Sequence, residues 1–144
     1  MKLSPHFSLD EATISQTATR LGIDNTPSPD VIKNMVVAAD GMELVRDLLS
    51  VPIHVNSWFR CLRLNRSIGS KDTSAHIQGF AVDFIAPKYG TPKEICKAII
   101  DSDINYDQII QEGNWVHISF SPKMRKIALT ATFNNSIVTY TEGV

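Results

Sequence analysis

His76, Asp83 and His117 are the side chains of this sequence best suited to hold a metal ion. A catalytic zinc takes three protein donors from His, Cys or carboxylate and keeps a fourth position for water, and two imidazoles with one carboxylate make such a set. The His-x6-Asp spacing inside SAHIQGFAVD, Ser74 to Asp83, does not by itself separate ligands from a histidine that hydrogen-bonds beside a loop. A second word, EGNWVHIS from Glu112 to Ser119, adds geometry. With Gly113-Asn114 as a two-residue turn, glycine first, Glu112 faces Trp115 across a hairpin. Strand alternation then puts His117 on the same face, diagonal to Glu112. A carboxylate there can take the proton of an attacking water beside a metal and return it to a leaving amine. A solvated acid at a strand end is the plain alternative. Gln108, Ile110 and Ser119 share the face and are expected to line the floor of the site or orient its ligands. Trp115 reads as pocket wall. Arg60, ending the run Asn56-Ser57-Trp58-Phe59-Arg60, can fork a carboxylate or hold a developing oxyanion. It can equally brace its loop by pairing with Asp72 or a backbone carbonyl, which is the reading for Arg63 and Arg66. Arg60, Ser74, Gln108 and Trp115 are the candidates for substrate contact.

These side chains need a scaffold, and the rest of the sequence spells one. Ser8 and Glu11 have the spacing of a capping box, predicting a helix that stops near Gly22. Ser28-Pro29-Asp30 starts a second, longer helix with a cap, a proline at the first helical position and an acid near the positive end of the dipole. Val31, Met35, Ala38, Met42, Val45 and Leu49 form its apolar stripe. Gly41 inside it costs up to ~1 kcal/mol relative to alanine and allows a bend. Ile53 to Trp58 reads as a strand. Arg60 to Gly79 reads as a long loop with one helical turn near Leu62 to Arg66, and such loops are commonly functional. A strand over Ala81 to Ile85 and a helix from Thr91-Pro92-Lys93-Glu94 to near Ser102 follow. The last third reads as strands over Asp107 to Glu112, Trp115 to Phe120, Lys126 to Phe133 and Ser136 to Thr141, the last two joined by a turn at Asn134-Asn135. The predicted architecture is α+β, with helices packed on one antiparallel sheet.

With 144 residues, 43% of them apolar, and a net charge of −1, the sequence fits one domain over residues 1–144. The absence of a basic run argues against a nucleic-acid partner. No apolar stretch approaches the ~20 residues a spanning helix needs, so membrane insertion is not expected. The start, MKLSPHFSLDEA, lacks an apolar signal region, which places the expected site of synthesis and residence in the cytoplasm. Cys61 and Cys96 are too few for a disulfide framework and are expected as reduced thiols. His6 and His54 lie outside both words and receive no role.

SAHIQGFAVD resembles the SxHxxGxAxD signature of the zinc D-Ala-D-Ala metallopeptidases, and EGNWVHIS resembles their downstream acid and W-x-H segment. HFSLDEA, ATRLGIDNTPSPDVI and VNSWFR resemble the amino-terminal half of small phage- and prophage-encoded members, so the likeness runs from about His6 to Ser121. The resemblance implies a Hedgehog-like α+β scaffold, Zn2+ held by His76, Asp83 and His117, Glu112 as acid/base, and Arg60 at the substrate or oxyanion. It implies peptidoglycan stem peptides as substrate. An endolysin-type endopeptidase is expected, acting as a monomer and held in the host bacterial cytoplasm until a partner such as a holin releases it. The alternatives are a carboxypeptidase trimming terminal D-alanine and a catalytically silent, zinc-stabilised module that binds cell wall or a protein. Two positions depart from the commoner pattern. Asn114 stands where many relatives carry the acid, leaving Glu112, five residues before His117, in a spacing used by a subset. Trp58 stands where relatives commonly have glycine.

Overall fold

The computed structural model describes residues 1–144. Strands β1 (Lys2–Ser4) and β2 (Phe7–Ser8) form a small ribbon that the sequence reading did not foresee. The Ser8 hydroxyl then accepts from the Glu11 amide at 3.1 Å while Glu11 accepts from the Ser8 amide at 2.9 Å, the expected capping box. The helix it starts, α1 (Leu9–Thr13), stops sooner than expected. Ile14 is extended, and Ser15 caps a new helix, α2 (Gln16–Leu21), by accepting from the Ala18 amide at 3.1 Å. Serine favours a cap over a helix interior because its hydroxyl competes for backbone donors. Gly22 ends α2 in the left-handed region, where the reading put the stop.

Helix α3 (Pro29–Leu49) is capped by Ser28 and buries the expected stripe from Met35 to Leu49, with Val31 packed at its margin. It runs unbroken through Gly41, whose value is room. A Cβ there would lie 2.4 Å from the Phe120 ring. The long loop holds two short helices, the expected α4 (Leu62–Ser67) and the unforeseen α5 (Ala75–Gln78). A Thr91 capping box opens α6 (Pro92–Ile100).

The main sheet contains β3 (His54–Ser57), β4 (Ala81–Ile85), β5 (Gln108–Gln111), β6 (Val116–Ser119), β7 (Ile127–Asn134) and β8 (Ile137–Glu142), in the order β3-β4-β6-β5-β7-β8. It is mixed where a wholly antiparallel sheet was expected, because β5 and β7 pair in parallel. Asp107 explains the crossover. Its carboxylate accepts from the Arg125 amide, Nε and Nη2 at 3.1, 2.8 and 2.9 Å, pinning the segment after β6 beside the start of β5. The chain therefore enters β7 from the same end as β5. The β7–β8 turn falls on Asn135 and Ser136, both with positive φ, one residue later than expected, and Asn134 pairs with Ile137.

Alternation divides the sheet. Val82, Phe84, Ile109, Val116 and Ile118 are fully buried in one core with Met35, Met42, Val45, Ile95 and Ile99 of α3 and α6. Each such side chain is worth about 1.5–3 kcal/mol of burial. Asp83, Ile110, His117 and Ser119 consequently emerge on the face away from those helices. No helix is long and apolar enough to cross a membrane. Both cysteines are unpaired, and burial pushes the Cys96 thiol up to about 12.

Candidate active site

Asp83 and His117 are direct cross-strand partners on the antiparallel pair β4–β6, so their side chains rise together. His117 Nδ1 lies 2.8 Å from Asp83 Oδ1, and His76 Nε2 lies 3.3 Å from Asp83 Oδ2. The two imidazoles meet edge to face with centroids 5.2 Å apart. One donor atom from each of the three residues falls within 4.8 Å of the others. A tetrahedral ion ~2.1 Å from each donor needs separations of roughly 3.4 Å, so this triangle fits a metal ion after small adjustments.

His76 reaches the triangle from α5, a turn held open by the Ser74 hydroxyl, which accepts from the His76 amide at 3.2 Å, and closed by left-handed Gly79. Only 2% of His76 is exposed. Its Nδ1 lies 2.7 Å from the carbonyl oxygen of Trp58. A carbonyl can only accept, so Nδ1 carries the proton and Nε2 presents its lone pair toward Asp83. Burial holds the His76 pKa below the usual histidine range. Asp83 pulls it back in part, and His117 and Arg60 add to the depression. Asp83 is opposite in sign: burial alone would raise its pKa, but the adjoining His76 and His117 imidazoles hold it well below the carboxylate range. Neutral imidazole beside ionised carboxylate is the ligand state a divalent cation requires.

Trp58 therefore has two roles that its position in the sequence did not announce. Its indole is buried, donates from Nε1 to the Gly79 carbonyl at 2.9 Å and packs edge to face on Phe7, while its own carbonyl orients His76. Asn25 was also missed. Its amide donates to the Thr13 and Phe59 carbonyls, and its Oδ1 accepts from the Cys61 amide, clamping the segment that carries Arg60. A backbone acceptor leaves no signature in residue types, which is why neither was legible.

The Glu112 amide donates to the Trp115 carbonyl at 3.0 Å, closing the hairpin as the sequence reading required. Burial raises the Glu112 pKa, with Asp83 adding to the rise and His117 and Arg60 opposing it. Arg60 is half-buried, and its Nε has no hydrogen-bond partner. The proposed brace to Asp72 is made by Arg66 instead, at 2.7 Å. Burial lowers the Arg60 pKa, partly offset by Asp83 and Glu112.

Arg60, His76, Asp83, Glu112 and His117 line one cleft of about 820 Å3. Ser74, Gln108, Ile110, Trp115 and Ser119 line it as well. Lys71, Lys123, Leu129 and Tyr140 were not anticipated there. His6 and His54 lie outside it, and His6 pairs with Glu43 at 2.7 Å.

No curated protein matches the chain significantly. A family model described as Peptidase M15 matches residues 5–119, a span that includes every residue of the metal-binding triangle together with Arg60 and Glu112. The chain belongs to the Peptidase M15 family, whose members are metal-dependent peptidases that usually carry zinc.

Proposed function

We propose that this chain is a single-domain zinc peptidase that hydrolyses a peptide bond in the stem peptides or crossbridges of bacterial peptidoglycan, as an endolysin-type endopeptidase released from the host cytoplasm. The observation that carries the reading is the convergence of His76, Asp83 and His117 with Glu112 and Arg60 in one open cleft. The cleft, about 820 Å3 in volume, has room for a peptide segment.

His76, Asp83 and His117 would hold the zinc ion, which would supply Lewis acidity for the attacking water and the scissile carbonyl. Glu112 accepts the proton of the attacking water at a carboxylate oxygen. It then delivers that proton to the departing nitrogen as the C–N bond breaks, giving one new carboxyl and one new amino end. Arg60, with an unpartnered donor, holds the oxygen that becomes negative or a substrate carboxylate. Ser74, Gln108 and Trp115 contact the peptide along the cleft.

Mass spectrometry of purified peptidoglycan after digestion tests the proposal. New paired amino and carboxyl ends, abolished by chelator and restored by zinc, are expected. Binding to the wall without new ends identifies a zinc-stabilised binding module and overturns the enzymatic reading.

A further inference from the structure

The residues matched by the family model end at Ser119, yet the cleft does not. Ser121, Lys123 and Arg125 of the β6–β7 connection extend its wall, as do Leu129 and Tyr140 of the β7–β8 hairpin, and sheet register fixes which of that hairpin's side chains face the site. His117 pairs with Ile110, Ile110 with Leu129, and Leu129 with Glu142, so one row of side chains runs from the metal-binding triangle onto the hairpin. Two residues along, the next row starts with Trp115 and Glu112, which exchange the hairpin-closing hydrogen bond. The parallel β5–β7 register, continued by one residue from Gln111 and Thr130, sets Ala131 beside Glu112, and Ala131 pairs directly with Tyr140. Tyr140 and Glu112 are thus row-mates two strand spacings apart, each about 4.8 Å, separated by a single methyl side chain. A larger residue at 131 would stand between them.

Tyr140 lines the same cleft as Arg60, His76, Asp83, Glu112 and His117, while 52% of it remains exposed. Its hydroxyl makes no hydrogen bond within the chain, although neighbouring Thr141 and Thr130 do so. Partial burial, then the negative charges of Glu112 and Asp83, push the phenol pKa up, so at neutral pH it is a protonated donor.

We propose that Tyr140 is a substrate-binding residue whose hydroxyl donates a hydrogen bond to a carbonyl oxygen of the peptide on the Glu112 side of the scissile bond, making the β7–β8 hairpin a determinant of specificity. The inference rests on the peptidase reading above and adds a contact outside the family-matched residues. An acceptor is the complementary chemistry because this row already carries the Glu112 carboxylate, and a peptide carbonyl brings no second full charge beside it.

The test compares zinc-loaded wild type with Tyr140→Phe, which keeps the ring and removes only the hydroxyl. Steady-state cleavage of a soluble stem tetrapeptide containing L-alanyl-D-glutamate gives KM and kcat. Titration of the same peptide against Glu112→Gln, with and without Tyr140→Phe, gives Kd from the combined fluorescence of Trp58 and Trp115 without turnover. The expected result is a rise in Kd and KM on the order of three- to tenfold, with kcat, zinc content and melting temperature unchanged. Active wild type with unchanged Kd and KM in Tyr140→Phe overturns the role of Tyr140 and leaves the peptidase reading intact. Binding that weakens in Tyr140→Phe while wild type cuts neither this peptide nor purified peptidoglycan upholds the contact and overturns the peptidase reading. A wild type that neither binds nor cuts either substrate overturns both.

Discussion

The two halves of the main sheet are built to different standards. In the β3-β4-β6-β5 half, core-facing side chains such as Val82, Phe84, Val116 and Ile118 are fully buried, and the opposite face carries Asp83 and His117 at fixed register. In the β7–β8 half, every residue of β8 is exposed, and Phe133, Ile137, Val138 and Tyr140 present apolar surface to solvent. The contrast follows from what each half must hold. A metal-binding triangle tolerates little displacement, so its strands are fixed by packing on one face and hydrogen bonds on the other. A wall proposed to meet a flexible peptide needs only the right row of side chains.

The largest effect that sharpens this contrast belongs at Glu112. Glu112→Gln should retain zinc, measured by metal analysis, while turnover on peptidoglycan falls by about 10²–10⁴-fold. Retained turnover would remove the acid/base role. Next in size is Gly41→Val, which forces a side chain into the buried Phe120 ring of the core. Overpacking of this kind costs about 1–3 kcal/mol, read from urea unfolding.

A smaller effect sits on the boundary between the halves. Arg125 holds the Asp107 pKa below the usual carboxylate range through hydrogen bonds first, against a modest opposing effect of burial. A depressed folded-state pKa stabilises the protein above the unfolded value near ~3.9, and that contribution is lost as pH falls through the folded value. Asp107→Asn should therefore cost about 1 kcal/mol at pH 7, small because Arg125 is half exposed, and the difference from wild type should shrink in acid. A difference that grows in acid would refute the assignment. Smallest of all, Ile137→Thr at the exposed hairpin end should shift stability by no more than about 0.5 kcal/mol in thermal unfolding. A cost matching that of Gly41→Val would erase the distinction between the halves.

Much of the site was legible because its signals are local. Capping residues marked the starts of α1, α3 and α6, and a two-residue turn set Glu112 against Trp115, which put His117 on a known face. Position 15 shows the limit, since a serine inside an apparent helix is silent about whether it will cap a new one. Helix α5 was hidden for a similar reason: four residues show no periodicity, although Ser74 and Gly79 bracket them as cap and stop.

The sequence alone marked His76, Asp83 and His117 as candidate metal ligands through two words that resemble a family signature, and it marked the nearby acid and the supporting helices through capping, alternation and tight turns, which act over a few residues. Tertiary structure alone decided that β7 runs parallel to β5, that the Trp58 carbonyl aims His76, and that Tyr140 shares a row with Glu112. Those outcomes depend on hydrogen bonds and sheet neighbours between segments far apart in the chain. Residue spacing carries no record of which distant strand lies alongside.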